Sequence, residues 1–129
     1  MYDYIDPVPP LIKFLRSQLA QDVASGVRIV GGMFGTDERG TALSIKLAGG
    51  ATDVPNPYSR IQLLARSEQD YKTTALVIKA CNALARNFDL IQGLRVKTVR
   101  IETRPIDTRD GDTNLPESWV YVLIEHMEA

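Results

Sequence analysis

The sequence predicts an α+β domain of about five mostly antiparallel strands and two main helices, in the order α-β-β-β-α-β-β. Three observations carry that prediction. Two stretches, roughly 10–24 and 71–88, repeat apolar residues at helical spacing. The runs between and after them alternate apolar with polar residues, the period of a half-buried strand. Several connections between those runs are hairpin-short, which favours antiparallel pairing. A chain of 129 residues fits one domain, 1–129, and shows no internal repeat.

Pro7-Val8-Pro9-Pro10 opens the first helix, because a proline's missing N–H is not needed in a first turn and its φ is already helical. Leu11, Ile12, Leu15, Leu19 and Val23 form its buried stripe, and Gly26 ends it. Val27 to Phe34 reads as a strand, weakened by Gly31-Gly32, a pair that signals a bulge or a close backbone approach. Leu43, Ile45 and Leu47 alternate with Ala42, Ser44 and Lys46 in a second strand. Gly49 to Pro57 is too rich in proline for sheet. In a third strand Ile61, Leu63 and Ala65 face one way, with Arg60, Gln62 and Arg66 on the other face.

Ser67-Glu68-Gln69-Asp70 fits a capping box at the start of the second helix. Tyr71, Thr74, Ala75, Ile78, Cys81, Leu84, Ala85 and Phe88 make its stripe. Beyond Gly93, Arg95 to Arg104 reads as a strand whose apolar parity switches between Val96 and Val99, the mark of a bulge. Pro105 to Glu117 is a 13-residue polar excursion, a length at which loops are usually functional or mobile. The last strand, Trp119 to Ile124, is apolar on both faces. It is therefore either central with helices on both sides or covered on one side by another chain.

Composition narrows the function classes. Hydrophobic residues are 44% and charged residues 24% of the chain, a globular balance that argues against disorder. The longest apolar run, Trp119–Ile124, is far short of the ~20 residues of a membrane span. Acids near the N-terminus argue against a signal peptide. A net charge of −1 argues against a life on nucleic acid, where phosphate neutralisation supplies most of the affinity. One cysteine makes no internal disulfide, so a soluble protein of a reducing cytoplasm is expected.

Chemistry-bearing residues are sparse, and no catalytic, cofactor-binding or metal-ligating residue is expected. His126 lies close to the C-terminus and reads as a solvent-facing residue of a fraying end. Cys81 falls on the apolar stripe of the second helix and reads as a small hydrophobe. One Cys and one His are too few for zinc. In Asp107 to Glu117, placing Gly111 at the glycine position of a calcium loop puts Glu117 at the last ligand but Ile106 at the first. A solvated Asp-Gly turn is the stronger reading, with a non-standard divalent site as the weaker. Gly31-Gly32 and Gly49-Gly50 match no phosphate-binding or dinucleotide motif.

Charge is the strongest remaining asymmetry. Arg95, Lys97, Arg100 and Arg104 stand against Glu102 alone, a net of +3. Residues 105–129 carry Asp107, Asp110, Asp112, Glu117, Glu125 and Glu128 against Arg109, a net of −5. These charges either face water and pair across strands, or the basic stretch of one copy meets the acidic loop of the next. The candidate interface is Arg95, Lys97, Arg100, Arg104, Asp107, Arg109, Asp110 and Asp112, with Asp53 and Asn56 from the other long loop. A nucleic-acid site is weaker, because no aromatic residue interleaves the basic stretch.

The run from Asn56-Pro57-Tyr58-Ser59-Arg60-Ile61-Gln62-Leu63 through Ala65-Arg66-Ser67-Glu68-Gln69-Asp70-Tyr71 resembles the centre of the tail terminator proteins of long-tailed bacteriophages, also called tail completion or minor capsid proteins. There a strand with an Ile-Gln core leads by a short turn into an amphipathic helix ending in an Ala-Leu pair, here Ala83-Leu84. The resemblance covers most of the chain. It implies a structural virion protein, not an enzyme, that forms a homo-hexameric ring, stops tail-tube polymerisation and joins the tail to the head-side neck. Implied partners are copies of itself, the tail tube protein, a neck or stopper protein, and sheath where the tail is contractile. DNA meets it only by passing through the lumen, no membrane is involved, and no cofactor is implied. The implied location is the tail–neck junction of the virion, after assembly in the host cytoplasm. The alternatives are another neck component, such as a stopper or connector, and a small-molecule-binding α+β domain.

Overall fold

The prolines do open a helix. In the computed structural model, which describes residues 5–32, 34, 40–52 and 54–127, α1 spans Val8–Gln18. Asp6 Oδ1 accepts the Val8 amide at 3.0 Å, satisfying one free N–H of the first turn. The single helix expected over 10–24 is two. Leu19 leaves helical geometry at φ −107° and ψ 36°, and a short α2 follows at Ala20–Ala24. Burial accounts for the break: Leu11, Phe14, Leu15 and Leu19 are in the core, whereas Val23 is 38% exposed.

The remaining elements are β1 (Arg28–Gly31), β2 (Ala42–Ala51), β3 (Tyr58–Arg66), α3 (Asp70–Asn87), a 3-10 turn at Phe88–Leu90, β4 (Arg95–Ile101), β5 (Ile106–Arg109) and β6 (Pro116–Met127). All six strands form one sheet, in the order β1-β2-β3-β6-β4, with β5 also pairing β6. Every pairing is antiparallel except β1 with β2. β3 lies along Glu117–Glu125 of β6, and β4 and β5 share the opposite side of that strand in tandem. The predicted mixed, mostly antiparallel α+β class is thus the class found.

Several local expectations change. The buried stripe of α3 is Thr73, Leu76, Val77, Ala80, Cys81 and Leu84, whereas Ala75, Ile78 and Ala85 are exposed, and β2 is buried on both faces from Ala42 to Ile45. The strand expected over Val27–Phe34 stops at Gly31, where the glycine reading holds: a Cβ there would sit 3.1 Å from Ile12 Cδ1 of α1. The glycine-rich stretch after Leu47 is not all loop, because β2 continues to Ala51 through a register shift between Leu47 and Gly50. α3 starts at Asp70 with Gln69 before it and no side-chain cap. Ser67 instead accepts the Gln69 amide at 3.2 Å and pairs with the Thr41 hydroxyl at 2.9 Å, so the capping box is not formed. The polar excursion 105–117 is a β-hairpin: β5, a turn closed by Asp110 N–H to Leu115 O at 3.0 Å, and the start of β6. The predicted bulge in β4 is present, between Val96 and Thr98.

α1 packs on β1 and β2, α3 packs on β3, β4 and β6, and the two helices touch, so both lie on one face of the sheet. That face holds the core: Leu11 and Leu15 of α1, Val77 and Leu84 of α3, and Leu43, Ile45, Ile61, Leu63, Val120, Val122 and Ile124 of the strands. Each such side chain contributes about 1.5–3 kcal/mol on burial. Trp119, Tyr121 and Leu123 point to the opposite face and are half-buried. No helix among the described residues covers that face, so β6 is central in the sheet with helices on one side of it only. No helix among the described residues is long and apolar enough to cross a membrane.

Cys81 lies in the core as its position on the stripe predicts, and burial pushes its thiol up to about 11 from an ordinary 9.0. The thiol therefore stays protonated at pH 8, and a disulfide reagent is expected to modify native protein far more slowly than the urea-unfolded chain. Stability from the protonated buried thiol is complete below pH 9 and is lost as the pH rises toward 11.

Candidate functional site

β4 is an edge strand, and the predicted basic residues lie along it. Arg95, opposite Met127, and Arg100, opposite Leu123, are exposed; Lys97 occupies the bulge and Arg104 the link to β5, both exposed. None of the four makes an ion pair among the described residues. The one acid of the stretch, Glu102, is already taken. Its Oε2 accepts Arg60 Nη2 at 2.9 Å and Nε at 3.1 Å. The Arg60 guanidinium also lies 3.8 Å from the centroid of the Tyr121 ring, which meets Trp119 edge-on at 5.4 Å.

The acidic half of the predicted interface is placed differently. Asp107 accepts the Thr74 hydroxyl at 2.8 Å and the Ser118 hydroxyl, so it ties β5 to α3. Asp110 Oδ2 accepts the Thr113 amide and hydroxyl, each at 2.8 Å, and the Asp112 amide at 3.2 Å. Those Thr113 donors, with Arg66 and the Asp112 amide, hold the Asp110 carboxyl below the usual carboxylate range. Arg66 bridges Asp110 at 3.2 Å and Glu117 at 2.8 Å in a largely buried cluster. Arg109 Nη1 donates to the Asn114 carbonyl at 2.9 Å. Asp112 projects from the tip and is exposed, as is Asn56 on the other loop; Asp53 lies outside the described residues. The structure thus gathers the four cations on one edge, while Asp107 and Asp110 serve the hairpin itself. Among the described residues no three His, Cys, Asp or Glu side chains converge as a metal site.

His126 is a correction. It is not a fraying solvent-facing end but 2% exposed within β6, with Nε2 2.6 Å from the Ser59 hydroxyl. Its Nδ1 has no hydrogen-bond partner among the described residues. The signal was in the sequence: the period of Val120, Val122 and Ile124, carried on by two, puts His126 on the core face. Ser59 also lines a pocket of about 240 Å³ with Ile5, Leu47 and Tyr58. A serine activated as a nucleophile needs a base held by a third group, and no acid among the described residues bonds the far nitrogen of this imidazole.

No protein-family profile and no curated protein matches the chain. Among solved structures, the fold is similar to that of a chain from the virion of a native gene transfer agent (GTA) particle. The likeness covers 92% of this chain and 95% of that one, with a TM-score of 0.60 and 12% sequence identity.

Proposed function

We propose that the chain is a structural protein of a phage-like virion, a ring-forming subunit that caps the tail tube, ends its polymerisation and joins the tail to the head-side neck. The observation that carries this reading is the fold shared with the virion chain of a gene transfer agent particle over nearly the whole of both chains. The tail-terminator pattern of residues 56–84 supports it independently. So does the half-buried face of β6, where Trp119, Tyr121 and Leu123 have no covering helix among the described residues. Copies of this chain, the tube and a neck protein are its partners, and its place is the tail–neck junction.

A head-to-tail ring closes through two different patches on each subunit. Solution mass and negative-stain imaging, with and without purified tail tubes, test the proposal. Rings of several copies, free or seated on tube ends, are the expected result. A protein that stays monomeric at high concentration and forms no ring when tubes are added overturns it. Binding to DNA-filled heads in preference to tubes moves the assignment to a stopper or connector.

A further inference from the structure

The outer edge of β4 leaves both backbone groups and charges unanswered. No strand lies beyond β4 among the described residues. The Glu102 amide donates inward to the Tyr121 carbonyl at 3.0 Å. Backbone direction alternates along an antiparallel strand, so Val99 and Ile101 turn their N–H and C=O groups outward, away from β6. Arg95, Lys97, Arg100 and Arg104 flank these groups, exposed and without an ion pair among the described residues. Most acids of the same region are engaged: Glu102 by Arg60, Asp107 by Thr74 and Ser118, and Asp110 and Glu117 by Arg66, while Glu125 of β6, opposite Thr98, and Asp112 at the hairpin tip make no ion pair among the described residues.

We propose that this edge receives an extended acidic segment of a partner protein, added to the sheet as a strand beside β4. Main-chain hydrogen bonds to Val99 and Ile101 supply affinity, and the surrounding cations select for acid. Charge names the occupant. A second β4 is refused, because like charges would oppose one another along the whole contact. The hairpin of another copy is a poor match, since Asp107, Asp110 and Glu117 are engaged within their own subunit and a single exposed acid, Asp112, does not answer four cations. Duplex DNA answers the charge but leaves the directed backbone groups unpaired. Basic side chains commonly guard sheet edges against indiscriminate pairing; here the same guard admits one class of strand. The inference uses only the edge and its charges, so it stands or falls apart from the ring.

The test uses a fluorescent peptide of alternating Glu and Val, about eight residues long, against an alternating Lys and Val peptide and a short DNA duplex. Binding is read by anisotropy at low and moderate salt, and amide hydrogen exchange locates it. The Glu–Val peptide is expected to bind, to slow exchange at Val99 and Ile101, and to weaken with salt. Lys97→Glu with Arg100→Glu is expected to weaken it about tenfold or more. Ile101→Pro removes an outward donor without touching the β6 pairing and is expected to weaken binding, whereas Ile101→Ala does not. Circular dichroism confirms that each variant is folded, and the exchange pattern of the unsubstituted protein decides the matter if one is not. Absence of peptide binding, equal binding of the Lys–Val peptide, binding of DNA alone, or protection away from β4 overturns the proposal.

Discussion

Arg66→Ala is expected to destabilise the protein by about 3–5 kcal/mol, the loss that follows when one member of a buried ion pair is deleted and its partner stays charged. Arg66 is 8% exposed, and it holds Glu117 at 2.8 Å and Asp110 at 3.2 Å while lying 4.8 Å from the Phe34 ring. The three charged residues come from β3, from β6 and from the hairpin turn, so the arginine fastens the hairpin to the body of the sheet. Without it, Glu117, at 9% exposure, has no cation to offset its desolvation. Urea unfolding measures the loss. Arg66→Met with Glu117→Leu is expected to recover most of it, since apolar replacement of a buried pair is often neutral. The contrast is Arg60→Ala. Its pair with Glu102 has side chains 38% and 25% exposed, and its removal is expected to cost under about 1 kcal/mol. Equal losses at the two arginines would show that burial is not what sets the value of the Arg66 cluster.

Gly50→Ala is the second large effect. Gly50 has φ +138° at the end of the register shift in β2, a conformation that side chains rarely adopt. A Cβ there would overlap the Tyr58 carbonyl oxygen and come 2.9 Å from Ser59 Cα, both of them backbone of the paired strand. Strain alone costs about 1–3 kcal/mol, and the overlap adds to it, because a strand in a sheet cannot step aside. The expected result is a loss of about 3 kcal/mol or more in denaturant unfolding, with chemical-shift changes at Tyr58 and Ser59. Gly49→Ala is the control. Its φ is +106°, but an added Cβ meets nothing within 4 Å, so only the conformational part of the loss remains.

Periodicity made part of the fold readable: the alternation of β3 and the parity switch in β4 follow from burial on one side of a regular element. It failed where burial does not follow the apolar pattern. Thr73, Leu76, Val77 and Ala80 of α3 are buried with Cys81 and Leu84, whereas Ala75, Ile78 and Ala85 of the expected stripe are exposed; β2 is buried on both faces from Ala42 to Ile45 with Leu47 exposed. β5 escaped because Ile106, Asp107, Thr108 and Arg109 are all exposed and carry no alternation; only its partner, β6, makes it a strand. Ser67 has the composition of a cap, but its hydroxyl finds Thr41 of the β2 approach, a neighbour that no local pattern announces. The same holds for the candidate interface. The four cations were readable as a cluster because they sit together in sequence. The engagement of Asp107 by Thr74, 33 residues away, and of Glu117 by Arg66, 51 residues away, was not. His126 was readable and was outweighed by its nearness to the chain end.

The position of β6 bears on how the molecule comes into being. Among the described residues it follows every other strand, yet it stands between β3 on one side and β4 and β5 on the other. As the chain leaves the ribosome, β4 and β5 have no neighbour to join and α3 has only part of its sheet to rest on. Completion of the sheet therefore waits for the emergence of β6, and the contacts that close it span long stretches of sequence, the circumstance that slows folding. A nascent chain halted before Pro116 offers chaperones and proteases an unfinished sheet, whose β3 flank is a row of unsatisfied hydrogen-bonding groups.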